Sequence, residues 1–121
     1  MAKVASIDVL DAGLDVIAEA TQLIVCAGEP DSRADALTRA LAESETLTGG
    51  SFSKAAGAVS GRRTTVAAQN DLTIDDSGTA DHVALIDSTR LIYVTTAPSQ
   101  VLTEGGSVSV AAWDVEIRDP V

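Results

Sequence analysis

Val108-Ser109-Val110-Ala111-Ala112-Trp113-Asp114-Val115-Glu116-Ile117 is the stretch that decides how this chain folds. Its apolar residues alternate with polar ones, the period of a strand with one buried face. The phase changes midway: Val108 and Val110 fall on even positions, Trp113, Val115 and Ile117 on odd ones. Side chains change face at every residue of a strand, so an unbroken strand cannot bury both sets. One extra residue at Ala111-Ala112 repairs the phase, and a β-bulge is expected there.

Short runs of the same kind extend back to residue 60. Residues 64–68 read as one strand and Leu72-Thr73-Ile74 as another, closed by the turn formers Asp75-Asp76-Ser77-Gly78. Residues 82–86 and 91–96 read as a hairpin across Asp87-Ser88-Thr89-Arg90. Ala97-Pro98-Ser99 is expected to end that hairpin, and Glu104-Gly105-Gly106 to make the next turn. No repeat of solenoid period is visible.

The first half is less regular. Residues 6–20 read as a helix, with Ser6 as cap and Val9, Leu10, Leu14 and Ile17 as an apolar stripe. Gly13 lies on that stripe, where it permits a close approach. Asp8, Asp11, Asp15 and Glu19 form a carboxylate row without matching Lys or Arg; it reads as a solvated face, or else as a docking face for a basic partner. Residues 22–27 are an uninterrupted apolar run of strand length. Residues 31–43 are ambiguous: Ala34, Leu37 and Leu41 fit a helix and Asp35 can pair with Arg39, but an extended arm is also open. Residues 46–61, rich in Gly, Ser, Thr and Ala with Phe52 as anchor, read as a loop or arm lying across a neighbouring chain.

The expected fold is therefore mainly β (α+β): a β-sandwich or small barrel of antiparallel strands, with an N-terminal helix and a Gly/Ser/Ala-rich arm. One domain spans 1–121, divided into 1–45, the arm at 46–61, and the β body at 62–121.

Composition limits what such a body can do. Only Phe52, Tyr93 and Trp113 are aromatic, so the core must come from Val, Ile, Leu and Ala, and oligomer contacts often supplement a core of that kind. Net charge is −10, from 18 acids against 8 bases, which argues against nucleic acid. No segment is apolar enough to span a membrane, and synthesis in the cytoplasm is expected. Residues 46–69 hold no acid but carry Lys54, Arg62 and Arg63; they are candidates for contact with an anionic neighbour, a second copy included. Trp113 reads as a core anchor or an interface hot spot.

Chemistry is sparse. Cys26 and His82 are the single residues of their kinds, too few for the usual zinc sets. A catalytic Cys–His pair needs both in one cleft; a buried thiol and a strand-edge imidazole are the simpler reading. Asp71, Asp75, Asp76 and Asp81 lack the spacing of a calcium loop, and neither Gly-Gly pair has the context of a phosphate loop. Neither catalytic residues, a metal nor a cofactor are expected.

Several stretches resemble a small family from the structural gene clusters of tailed bacteriophages and prophages. They are Ser6-Ile7-Asp8-Val9-Leu10-Asp11-Ala12-Gly13-Leu14-Asp15, Ser60-Gly61-Arg62-Arg63-Thr64-Thr65-Val66-Ala67-Ala68, Ser77-Gly78-Thr79-Ala80-Asp81-His82-Val83-Ala84-Leu85, Leu91-Ile92-Tyr93-Val94-Thr95-Thr96 and Ala112-Trp113-Asp114-Val115-Glu116-Ile117. The resemblance implies a non-enzymatic virion protein. Within that class the expectation is a capsid decoration or cement protein, a homotrimer that binds the major capsid protein and stabilises the head. A tail or neck subunit, or a host-surface-binding β-module, is the alternative. Phe52 and Trp113 are the expected apolar contacts.

Overall fold

The computed structural model describes residues 7–44, 46–57 and 61–117. Helix α1 (Ile7–Ile17) leads into strand β1 (Gln22–Cys26), helix α2 (Arg33–Thr38) and β2 (Ala40–Glu43). A 3-10 turn (Gly49–Ser51) precedes β3 (Phe52–Ala56), β4 (Arg62–Val66), β5 (Gln69–Thr73), β6 (Gly78–Ile86), β7 (Leu91–Leu102), β8 (Ser107–Val110) and β9 (Trp113–Ile117). The strands form sheets ordered β2-β1-β6-β7, β3-β4-β9 and β5-β8, every pairing antiparallel. The expected class holds: a mainly antiparallel, sandwich-like β fold with an N-terminal helix. The Ser6 cap lies outside the described residues.

One core joins all three sheets. Leu23 and Val25 of β1, Val83 and Leu85 of β6, Val66, Leu72, Val108 and Val115 meet Leu14 and Ile17 of α1. The other face of β1 and β6 turns Ile24, Cys26, Ala84 and Ile86 against Ala36 of α2. Strand β1 is thus covered on both faces, which explains its uninterrupted apolar run. On α2 the buried residue is Ala36, while Leu37 is exposed; the stripe through Ala34, Leu37 and Leu41 does not exist, because the helix stops at Thr38 and Leu41 enters the core from β2. Ser32 caps this helix by accepting from the Asp35 amide at 3.0 Å, and the Asp35–Arg39 pair forms at 3.0 Å. Val9, placed on the apolar stripe of α1, is also exposed. Gly13 does mark a close approach: a Cβ there would sit 2.8 Å from Ile117 Cδ1.

Residues 46–57 are not the free arm that composition suggests for 46–61, whose residues 58–60 lie outside the described ones. Phe52–Ala56 is a strand laddered to β4 of the same chain, with Phe52 opposite Val66 and Ala56 opposite Arg62. Ala97-Pro98-Ser99 does not end β7 either. The three residues oppose the single residue Asp81 as a bulge, and the strand runs on to Leu102. Pro98 is tolerated because β7 is an edge strand, where its missing N–H costs no ladder bond.

The phase change in the opening stretch is real, but no bulge causes it. Val66 opposes Trp113 and Gln69 opposes Val110, an equal step on both strands, and pairing lapses at Ala67-Ala68 and Ala111-Ala112 together. The chain breaks there and passes from the ladder with β4 to the ladder with β5. The extra residue sits on the facing strand instead, where Asn70 and Asp71 oppose Ser109, and Asp71 adopts φ 55°.

Thr64 is fully buried on β4, and among the described residues its Oγ1 finds no hydrogen-bond partner. Desolvating an unpaired hydroxyl costs free energy that a methyl group does not. Thr64→Val should therefore stabilise the fold by about 1 kcal/mol, read as a higher denaturant midpoint. A lower midpoint would show that the hydroxyl is bonded.

Candidate functional site

The three cations proposed for a neighbouring molecule are used inside the chain. Lys54 Nζ reaches Asp15 at 2.6 Å, Arg62 Nε reaches Asp11 at 2.9 Å, and Arg63 Nη1 reaches Asp114 at 3.3 Å. Arg90, from the β6–β7 turn, reaches both Glu19 and Asp87. Asp11, Asp15 and Glu19 of the carboxylate row are therefore neither a bare solvated face nor a free docking face; they are fastened to β4, β3 and the β6–β7 turn, while the Asp8 side chain lies outside the described residues. Such pairs contribute roughly 0.2–1 kcal/mol each when exposed, and the more sheltered Asp11–Arg62 pair belongs at the upper end. Sequence spacing could not show this, because the partners lie 39 to 71 residues apart.

Phe52 and Trp113 are both half-buried and packed against the main core. Trp113 stacks on Tyr93 at a centroid distance of 5.8 Å. Of the five candidate contact residues, Phe52, Lys54, Arg62 and Arg63 lie on the neighbouring strands β3 and β4, and Trp113 opposite Val66 on β9. Lys54 and Arg62 share the face toward α1; Arg63 shares the outer face with Asp114, whose Oδ1 accepts from Thr65 Oγ1 at 2.6 Å.

Cys26 and His82 do come together: they are directly opposite on β1 and β6. Asp81 Oδ1 accepts from the Gly28 amide at 2.7 Å and is bonded to His82 Nδ1 at 2.8 Å. Both interactions hold the Asp81 carboxyl below the usual carboxylate range, the imidazole contact more strongly. The thiol itself is buried beneath α2, near the carbonyls of Ile24 and Ala36 at 3.7 and 3.9 Å. Burial pushes it up to about 11, the reverse of the shift that makes a nucleophile.

This environment has two measurable consequences. Native Cys26 should resist a disulfide-exchange reagent and react only as the protein unfolds, so that labelling follows the global unfolding rate. The raised folded pKa also adds stability that is complete below the unfolded value of about 8.5. That contribution is lost as pH rises toward about 11. Cys26→Ala should flatten that alkaline loss; an unchanged alkaline profile would assign it to other groups.

Three further acids line one cleft. A cleft of about 470 Å³ is lined by Glu43, Asp71 and Asp75 together with Gln69, Asn70 and Thr73. Among the described residues no set of three His, Cys, Asp or Glu side chains is placed to hold a metal ion. No described helix is long and apolar enough to cross a membrane. No protein-family model, curated protein or solved structure matches the chain.

Proposed function

We propose that this chain is a virion structural protein of a tailed bacteriophage, acting as a capsid decoration protein on the assembled head. The observation that carries the reading is where the resemblance falls. Its strongest stretches coincide with β6, β7 and β9, joined by the β4 match, so it follows the body of the fold and not one exposed motif. The architecture is compatible: a β body whose helix is tied down by ion pairs offers a rigid surface. Decoration would act by mass action, since a protein that binds only the assembled shell shifts stability toward it. Trp113, Phe52 and the outer face of β4 and β9 are the proposed contact region, in a homotrimer seated on the major capsid protein.

Fluorescently labelled protein added to purified undecorated heads tests this directly. Saturable binding at hundreds of copies per head, with increased resistance of the heads to heat, is the expected result. Binding at tens of copies confined to one vertex or to the tail would move the protein to the neck or tail. Absence of binding to either would remove the virion reading. Sedimentation should give a trimer, or a monomer that trimerises on heads; a stable dimer would count against decoration.

A further inference from the structure

We infer that two adjoining lobes between the β1–β6–β7 layer and the β8–β9 segment form a binding site for a small uncharged molecule with an aliphatic chain, of the class of medium-chain alcohols. The inference does not rest on the virion reading. The lobes measure about 230 and about 290 Å³. Val83, Ala97, Pro98, Val110 and Ala111 line both, so the two adjoin. Val25, Ala80 and Val108, all buried, floor the deeper one. An apolar cavity of about 150 Å³ is enough to hold benzene, and either lobe exceeds it.

The space persists because neither layer closes over it. On one side residues 97–99 bulge against the single residue Asp81; on the other, pairing lapses at Ala111-Ala112. Both irregularities border the lobes, and a bulge re-aims side chains that would otherwise alternate across the gap. The residues placed there are also short: Ala80, Ala97, Ala111 and Ala112 reach too little of the space to fill it. Atoms beside unfilled volume lack dispersion partners, and a guest chain supplies them. Pro98, Ala111 and Ala112 are exposed, so the space opens to solvent at that rim.

The lining selects the guest. Among the described lining residues only Trp113 is aromatic, so the walls offer methyl groups to a chain and little face to a ring. Thr96, Gln100 and Ser109 lie exposed around the rim, uncharged partners for a hydroxyl that stays near water. Asp114 alone among the described lining residues is charged, and it is taken up by Arg63 and Thr65. With no Lys, Arg or His in that lining and a net charge of −10, a carboxylate head finds no partner and is repelled. An ammonium head finds the one anion already paired.

The probe is 1-octanol, titrated into the intact chain and read by the fluorescence of Trp113, the only tryptophan, and by thermal melting. A saturable blue shift with a rise in melting temperature is expected, whereas ethanol at equal concentration gives neither. Octanoate and octylammonium should bind several-fold more weakly at low salt. Ala97→Leu, on the wall shared by the lobes, and Ala111→Leu, at the exposed rim, should each weaken binding roughly tenfold or more. Melting checks the folding of both, and the rim variant serves if the first does not fold. No saturable response up to the solubility limit of octanol would overturn the inference. So would octanoate binding as tightly as octanol, or binding that survives in every folded variant, which would place the guest elsewhere.

Discussion

A chain lacking residues 50–56 is expected to lose its cooperative thermal transition. The deletion removes β3 entirely, and with it the ladder to β4 from Phe52–Val66 to Ala56–Arg62. It also removes the Lys54–Asp15 pair that ties down α1 and the contact of Phe52 with the main core. Net ladder bonds are worth about 0.5–1.5 kcal/mol each. With the apolar contact added, the loss should reach roughly 3–5 kcal/mol, a large part of the 5–15 kcal/mol typical of a whole domain. Far-ultraviolet circular dichroism during heating would show a broad, early transition. A sharp melt within a few degrees of the intact chain would mean that β3 is dispensable and the segment free to serve elsewhere. Phe52→Ala separates the side chain from the strand: it should lower stability by about 1–3 kcal/mol and leave the transition cooperative.

Leu85→Ala should be the most damaging single truncation. Leu85 is fully buried one residue from the C-terminal end of β6, opposite Leu23 on one side and Tyr93 on the other. The neighbouring strands hold their positions through ladders on both flanks, so the space left behind cannot readily collapse. Leu→Ala changes at such sites cost roughly 2.7–5 kcal/mol, more where the cavity persists. Leu37→Ala, on the exposed side of α2, is the matched control and should cost under about 1 kcal/mol. Denaturant midpoints at constant slope would measure both. A loss below about 1 kcal/mol for Leu85→Ala would mean that the core is not centred on β1 and β6.

Acid stability follows from the same set of local contacts. Arg90 and the Thr89 amide hold Asp87 well below the usual carboxylate range; Arg39 does the same for Asp35, and His82 for Asp81. A depressed folded pKa gives stability that is present above the unfolded value near 3.9 and lost as pH falls through the folded one. Melting temperature should therefore hold through mildly acidic pH and fall only below about pH 4. Loss beginning at about pH 6 or above would mean that these carboxylates do not set the acid limit.

Local signals are legible in the sequence and non-local ones are not. Strand β1, the Asp87–Arg90 turn and the Asp35–Arg39 pair were legible because hydrophobic runs, turn chemistry and helical spacing act over a few residues. Strand β3 was not: Phe52-Ser53-Lys54-Ala55-Ala56 has neither the alternation nor the β-branched residues of a strand, and its conformation comes from pairing with β4. The candidate site fared likewise. Lys54, Arg62 and Arg63 stand out in the sequence as charges in need of anions, and the anions lie in the same chain, on α1 and β9.

Alternation along the C-terminal stretch is enough to require a break at Ala111-Ala112, because it is a property of the strand alone and the two apolar sets cannot share one face. The kind of break is set by the strands packed alongside. A bulge needs one strand to carry an extra residue, whereas here Ala67-Ala68 lose their pairing in step with Ala111-Ala112. That depends on which remote strand lies alongside. The same holds for the charges: their number is written in the chain, but whether they face solvent or one another is settled when α1 is laid across β4 and β9.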